Sequence, residues 1–181
     1  MSFYSDTAEF IKKFEGYTSK ATWDVNAWRI GHGSDTITLP NGTIKKVVQT
    51  DTTTPALAQL DLERRIKQDF EPKVKKQIGT EYYNKLTDRS KTALISLAYN
   101  YGSIPKKQII EAARTADPKK IASAIVESTK NDNAGKSYYK ALKNRRLKEA
   151  NYILANVQKS NLNLALPLIA LGIAAYYFYK K

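Results

Sequence analysis

The stretch Phe14-Glu15-Gly16-Tyr17, followed five residues later by Trp23-Asp24-Val25-Asn26-Ala27-Trp28-Arg29-Ile30-Gly31-His32-Gly33-Ser34-Asp35-Thr36, decides how the chain is read. An amphipathic helix is predicted from about Asp6 to Phe14. Ala8, Phe10, Ile11 and Phe14 recur at helical spacing, with Lys12 and Lys13 outside the stripe. Ser5 or Asp6 is the expected cap. The helix is expected to close at Glu15-Gly16, since glycine enters the left-handed conformation without a Cβ penalty. A short β segment then brings Asp24, nine positions after Glu15. Two acids flanking a turn between a helix and a hairpin can face each other across a cleft. Glycoside hydrolysis needs such a pair: one protonated, to donate to the leaving oxygen, and one ionised, to activate water or attack carbon.

Composition narrows the chemistry to carboxylates. The chain has 181 residues, no Cys and one His. Disulfides and Cys-based metal sites are therefore excluded, a multi-His zinc site is impossible, and a Ser-His-Asp triad is disfavoured. No metal and no cofactor is expected. The formal charge of +13 suits a polyanionic partner, either nucleic acid or the carboxylate- and phosphate-rich bacterial envelope. No nucleic-acid reader motif occurs, so no specific nucleic-acid partner is expected. The start Met1-Ser2-Phe3-Tyr4 lacks the basic and apolar regions of a signal peptide.

Further along, Ile37-Thr38-Leu39 and Thr43-Ile44-Lys45-Lys46-Val47-Val48 flank Pro40-Asn41-Gly42 and read as a β-hairpin. With the strand near Trp28 to Ile30 this predicts a small three-stranded sheet, and Thr50 to Thr54 a polar loop. Thr54-Pro55 opens a helix with Leu57, Leu60, Leu62 and Ile66 as its apolar members and Asp61, Glu63, Arg64 and Arg65 on other faces. Pro72 is expected to break or kink it near Phe70-Glu71, and Gly79 to stop it. Thr87 caps a strongly apolar helix to about Asn100, where Asn100 is the expected C-cap. Short helices follow from Pro105 and from Asp117-Pro118, then a turn at Asn131 to Gly135 and a long helix from about Ser137 to Val157.

Three of these stretches together resemble the phage-type lysozyme (muramidase) family. Its pattern is E-G, a spaced D, then T-I-G-x-G-H. Glu15-Gly16 and Asp24 match in type and spacing, and Ile30-Gly31-His32-Gly33 matches I-G-x-G. The run ending Tyr99-Asn100-Tyr101-Gly102 is similar to the family's central buried helix, which ends F-N-x-G. Leu142-Lys143-Asn144-Arg145-Arg146-Leu147-Lys148-Glu149 is similar to L-x-x-R-R-x-x-E. Arg145 and Glu149 lie one helical turn apart and can pair. Two positions depart: the family's Thr is Arg29, and its His is Ser34, while the lone His32 sits between the glycines.

The resemblance implies an α+β, mostly α, lysozyme-like fold with a small three-stranded β lobe. It also implies a peptidoglycan hydrolase cutting the β-1,4 bond between N-acetylmuramic acid and N-acetylglucosamine. Glu15 and Asp24 are the implied catalytic pair, the first as acid, the second ordering the attacking water with inversion. Thr36 and Thr38 are candidates for the water-positioning hydroxyl, and Arg29, His32, Ser34, Asn100 and Tyr101 for substrate binding. Two alternatives stand beside this reading: a lytic transglycosylase using Glu15 alone, and an inactive membrane-anchored structural or wall-binding virion protein.

The tail differs from the rest. Residues 162–179 run without a charge and end at Lys180-Lys181. That length just meets what a helix needs to cross a bilayer core, and aromatic residues beside terminal lysines suit the interface. The sequence thus predicts a catalytic domain over 1–158 and a linker with one C-terminal transmembrane helix over 159–181. The expected location is a phage virion membrane or a host cell membrane, with the domain reaching the wall.

Overall fold

Ser2 starts the first helix. Its hydroxyl accepts the N–H of Ser5 at 3.2 Å, so α1 runs Phe3–Lys12, a turn earlier than expected from Ser5 or Asp6. Asp6 falls inside the first turn, where a carboxylate favours the helix dipole. The end also differs. Phe14 N–H and Glu15 N–H both bond the Ile11 carbonyl, at 2.9 and 3.3 Å. These bonds serve the helix terminus without a left-handed closure, and Gly16 is not among the residues with positive φ. This computed structural model describes residues 2–129, 138–155 and 157. They belong to two units, Met1–Ala116 and Asp117–Lys181.

In the first unit, β1 (Thr18–Asp24) pairs antiparallel with β2 (Ala27–Gly31), and β3 (Thr36–Thr38) with β4 (Ile44–Lys46). The expected single three-stranded sheet is thus two two-stranded sheets. One bridge joins them: Ile30 and Ser34 exchange N–H···O bonds of 2.9 and 3.0 Å. The chain reverses there on Gly31 and Gly33, with φ of 62° and 83°, which glycine adopts without strain. The Thr50–Thr54 stretch is partly paired, since Ala21 N–H reaches the Asp51 carbonyl (3.1 Å) and Thr53 N–H that of Ser19 (2.9 Å). Ile30, Ile37 and Val47, with Ala21, Trp28 and Leu39 against them, form the apolar centre of this lobe.

Thr54 caps α2 (Pro55–Arg65), accepting Leu57 N–H at 3.3 Å, as expected. The buried residues of α2 are Ala58, Asp61 and Leu62, whereas Leu60 is exposed. Asp61 therefore faces inward, against the expectation from the sequence. No break follows at Pro72. The chain passes through one π-helical turn, Ile66–Phe70, into α3 (Glu71–Ile78). A proline ring clashes with the carbonyl four residues back, here residue 68, and the widened turn supplies the room. Gly79, at φ 100°, ends α3. The short α4 (Thr80–Asn84) follows, too brief to leave a periodic signal.

Thr87 caps α5 (Asp88–Tyr101), whose Ala93, Leu94, Ile95, Leu97 and Ala98 are completely buried. Left-handed Gly102 closes it, so the C-cap expected of Asn100 belongs to Gly102. Thr7 of α1 and Thr92 of α5 join hydroxyls at 2.9 Å. α6 spans Lys107–Arg114.

In the second unit, Asp117 caps α7 (Pro118–Glu127) as predicted, through Lys119 and Lys120 N–H. Helix α8 covers 139–155. Within it the expected Arg145–Glu149 pair is present at 3.4 Å, and Arg146 approaches Glu149 more closely, at 2.9 Å. All three are buried, so loss of one partner would leave an uncompensated buried charge. The expected turn at Asn131 to Gly135, the 158/159 boundary and the 162–179 segment lie outside the described residues. Among the described residues no helix is long and apolar enough to cross a membrane.

The glycines separate by steric demand. A Cβ at Gly31 would stand 3.0 Å from the Ala58 Cβ, at φ +62°, whereas one at Gly16 meets nothing within 4 Å. Gly31→Ala is expected to cost about 1–2 kcal/mol from the left-handed backbone alone. Gly16→Ala should leave the melting temperature unchanged. Thermal denaturation of the two variants checks the contrast.

Candidate active site

Asp61, 3% exposed on α2, gathers the β3 side of the lobe. It accepts from the hydroxyls of Ser34 (2.6 Å), Thr36 (3.2 Å) and Thr38 (2.7 Å), and from Arg64 (3.1 Å). Arg64 in turn donates to the Thr36 hydroxyl (2.7 Å), the Thr38 hydroxyl (3.1 Å) and Asp69 (2.8 Å). The alternation of β3 explains the pattern: Thr36 and Thr38 lie two apart on one face, while Ile37 points the other way into the apolar centre. A buried carboxylate is costly unless its lone pairs are met, and here four donors meet them.

A narrow recess runs beside this network. Its lining includes Gly31, His32, Ser34, Thr36, Asp61 and Tyr99. His32, 8% exposed, turns Nδ1 to the Gly16 carbonyl at 3.0 Å and sets its ring 5.6 Å from that of Tyr17. The Tyr17 hydroxyl donates to the Thr53 carbonyl at 3.1 Å. The segment carrying Glu15 is thus tied to the glycine turn on one side and to the entry of α2 on the other. Glu15 itself is half-buried. Tyr99 donates to the His32 carbonyl and accepts from Arg65 at 3.2 Å, and the Arg65 guanidinium stacks on its ring at 5.2 Å. Burial pushes the Tyr99 hydroxyl up to about 12, with the charges of Glu15 and Asp61 adding and Arg65 opposing. It therefore remains a proton donor across the neutral range. The Glu15 contribution places that carboxylate in the field of Tyr99.

Asp24 stands at the end of β1, where Val25-Asn26 form a two-residue turn to Ala27. Val25 has φ 51°, a strained conformation for a β-branched residue. The register pairs Thr22 with Arg29, Trp23 with Trp28 and Asp24 with Ala27. Successive side chains alternate, so Thr22, Asp24 and Arg29 share one face and both tryptophans the other. Arg29 lies 4.0 Å from Asp24 and 3.7 Å from Asp35. The Asp24 side chain is 66% exposed.

The sequence-derived candidates thus fall into four groups. His32, Ser34 and Thr36 line the recess, and Thr38 joins their network. Glu15 is one peptide unit from the Gly16 carbonyl that His32 holds. Asp24 and Arg29 lie on the hairpin, and Asn100 and Tyr101 are exposed at the end of α5, outside the lining. The O–H groups of Thr36 and Thr38 are directed at Asp61. Asp61, Arg64 and Tyr99 were not anticipated. Asp61 had a legible signal, since it stands three residues after Ala58 and one before Leu62, on the inward arc of α2.

A family model described as phage lysozyme matches residues 12–149. No curated protein matches the chain.

Asp61→Ala leaves Arg64, 11% exposed, without its buried partner. It is expected to cost about 3–5 kcal/mol, as breaking a buried ion pair does. Asp69→Ala removes the 40%-exposed partner and should cost below about 1 kcal/mol. Denaturant midpoints at constant m-value compare the two.

Proposed function

The chain belongs to the phage lysozyme family, glycoside hydrolases that act on peptidoglycan, and from that membership we propose that it cuts the β-1,4 bond between N-acetylmuramic acid and N-acetylglucosamine, with Glu15 as general acid and Asp24 as the carboxylate that activates water. The observation that carries the reading is how the Glu15 segment is held. A proton donor must keep its position while the bond breaks. Glu15 sits on a segment fixed through the Ile11 carbonyl, the His32 ring and the Tyr17 hydroxyl. Asp24, by contrast, is open to solvent, as a carboxylate that recruits water should be.

The water needs a second partner. Thr36 and Thr38 give their hydroxyls to Asp61 and Arg64, so we assign the role to Thr22. It lies two residues before Asp24 on the same strand face, opposite Arg29, and no hydrogen bond engages its side chain among the described residues. His32 and Ser34 then act by positioning, while Arg29, Asn100 and Tyr101, nearer the surface, contact the substrate. Glu15→Gln is expected to lower wall lysis by about a hundredfold or more, since an amide donates no such proton, with an unchanged melting curve. Asp24→Asn should be strongly impaired and Thr22→Val weakened. Mass spectrometry of digested walls reads the products. Reducing ends fit this mechanism, and proton NMR of freshly released product should show the inverted anomer before mutarotation. Anhydro ends with a fully active Asp24→Asn chain would move it to transglycosylation. A folded Glu15→Gln chain with full lysis would remove Glu15 from the site.

The tail carries a second part of the proposal, on sequence alone. Residues 162–179 anchor the enzyme in a bilayer, either a virion membrane or that of the host. Flotation with liposomes after an alkaline carbonate wash tests this. The full chain should float, and a chain ending at Gln158 should remain soluble and active. A full chain left in the soluble fraction would overturn the anchor.

A further inference from the structure

The back of the same hairpin presents a second recess. It is open to solvent and is lined by Trp23, Asn26, Trp28, Asp35, Lys46 and Val47. These are the chain's two tryptophans. Trp28 packs on the lobe's apolar centre. Trp23 meets it edge-on, with centroids 5.5 Å apart and planes at 72°, yet stays 59% exposed. One indole is thus anchored, and it props the other with a face open to solvent. Leaving so large an apolar surface wet forgoes stabilisation that burial would give. Around the indoles stand an amide, a carboxylate and an ammonium. Apolar surface with a few polar groups at its edge is the usual make-up of a small-ligand site.

We propose that this recess is a glycan-binding site separate from the bond-cleaving face, taking an N-acetylated pyranose ring of the wall polymer. The chemistry of that ligand matches the lining. A pyranose has a C–H face to lie on the open indole and a rim of hydroxyl and acetamido groups for Asn26 and Asp35. A lactyl or peptide carboxylate beside the sugar pairs with Lys46. A lipid surface fits less well, because it would cover the Asp35 carboxylate with apolar or anionic groups. The inference rests on the peptidoglycan reading above. Because Trp23 and Asp24 are neighbours on opposite faces of one strand, the two faces can grip one polymer or two adjacent strands. A second contact of this kind raises wall affinity by effective concentration and leaves bond cleavage alone.

The two tryptophans make the site directly observable. The full chain carrying Glu15→Gln, which removes turnover, is titrated with N,N′-diacetylchitobiose while indole emission is followed. A saturable shift is expected and is lost in Trp23→Ala; a muramic-acid-containing disaccharide, which brings a lactyl carboxylate, should bind more tightly, and that gain should vanish in Lys46→Ala. Both substitutions are at exposed positions, and a melting curve confirms folding. Trp23→Ala in the active chain should lose about fivefold in affinity for insoluble walls, the scale of one aromatic contact. Its turnover of short soluble fragments should stay at the parental rate. An emission change with anionic phospholipid vesicles and none with the sugar would make this a membrane-facing patch. No change with either, or a shift that survives Trp23→Ala, would overturn the site. If Glu15→Gln still lyses walls while the sugar titration saturates, the acid assignment fails and this recess stands.

Discussion

The carboxylate of Asp61 is the point on which the β lobe is fastened to the helices. It takes three hydroxyls from the Ser34–Thr38 segment and a guanidinium from its own helix. Such a centre is all-or-none: with every lone pair met it fixes one arrangement, and with a donor missing it is worse than an apolar contact. The β lobe has few apolar residues of its own, with Ile30, Ile37 and Val47 at its centre. Its attachment therefore depends on polar geometry more than on buried area. The same network engages the hydroxyls of Thr36 and Thr38.

The lone histidine has a structural task with a chemical consequence. His32 sits between two left-handed glycines and spans back to the Gly16 carbonyl. Its own carbonyl receives Tyr99 from α5. One side chain and one peptide group thus join the Glu15 segment, the glycine turn and the central helix. A side chain on a segment outside regular structure is held in place by such ties. Gly31 completes the arrangement by letting the turn approach Ala58 of α2 within contact distance.

The first hairpin works as a two-sided plate. Alternation places Thr22, Asp24 and Arg29 on one side and the tryptophan pair on the other. Arg29 links the two sides electrically, since it stands between Asp24 and the Asp35 that lines the aromatic recess. The strained Val25 sits at the tip, next to Asp24 and the exposed indole of Trp23.

The sequence by itself determined the element order, most caps and the family. Thr54, Thr87, Asp117, Pro55 and Gly79 act locally, through hydrogen bonds and dihedral limits within a turn, and local physics is written in local spacing. The Glu15, Asp24 and Ile30–Gly33 pattern was legible for the same reason. Tertiary structure decided what depends on neighbours distant in the chain. Asp61 looked like a surface charge because its partners lie 23 to 27 residues away. Tyr99 was hidden inside an apolar run, its hydroxyl partner 67 residues distant. The expected single sheet is two two-stranded sheets joined through the Ile30–Ser34 bridge, a pairing that strand patterns alone do not record. Pro72 did not break its helix because a π-turn gave the ring room, and that choice is made by the packing around Ile66 and Phe70, both buried.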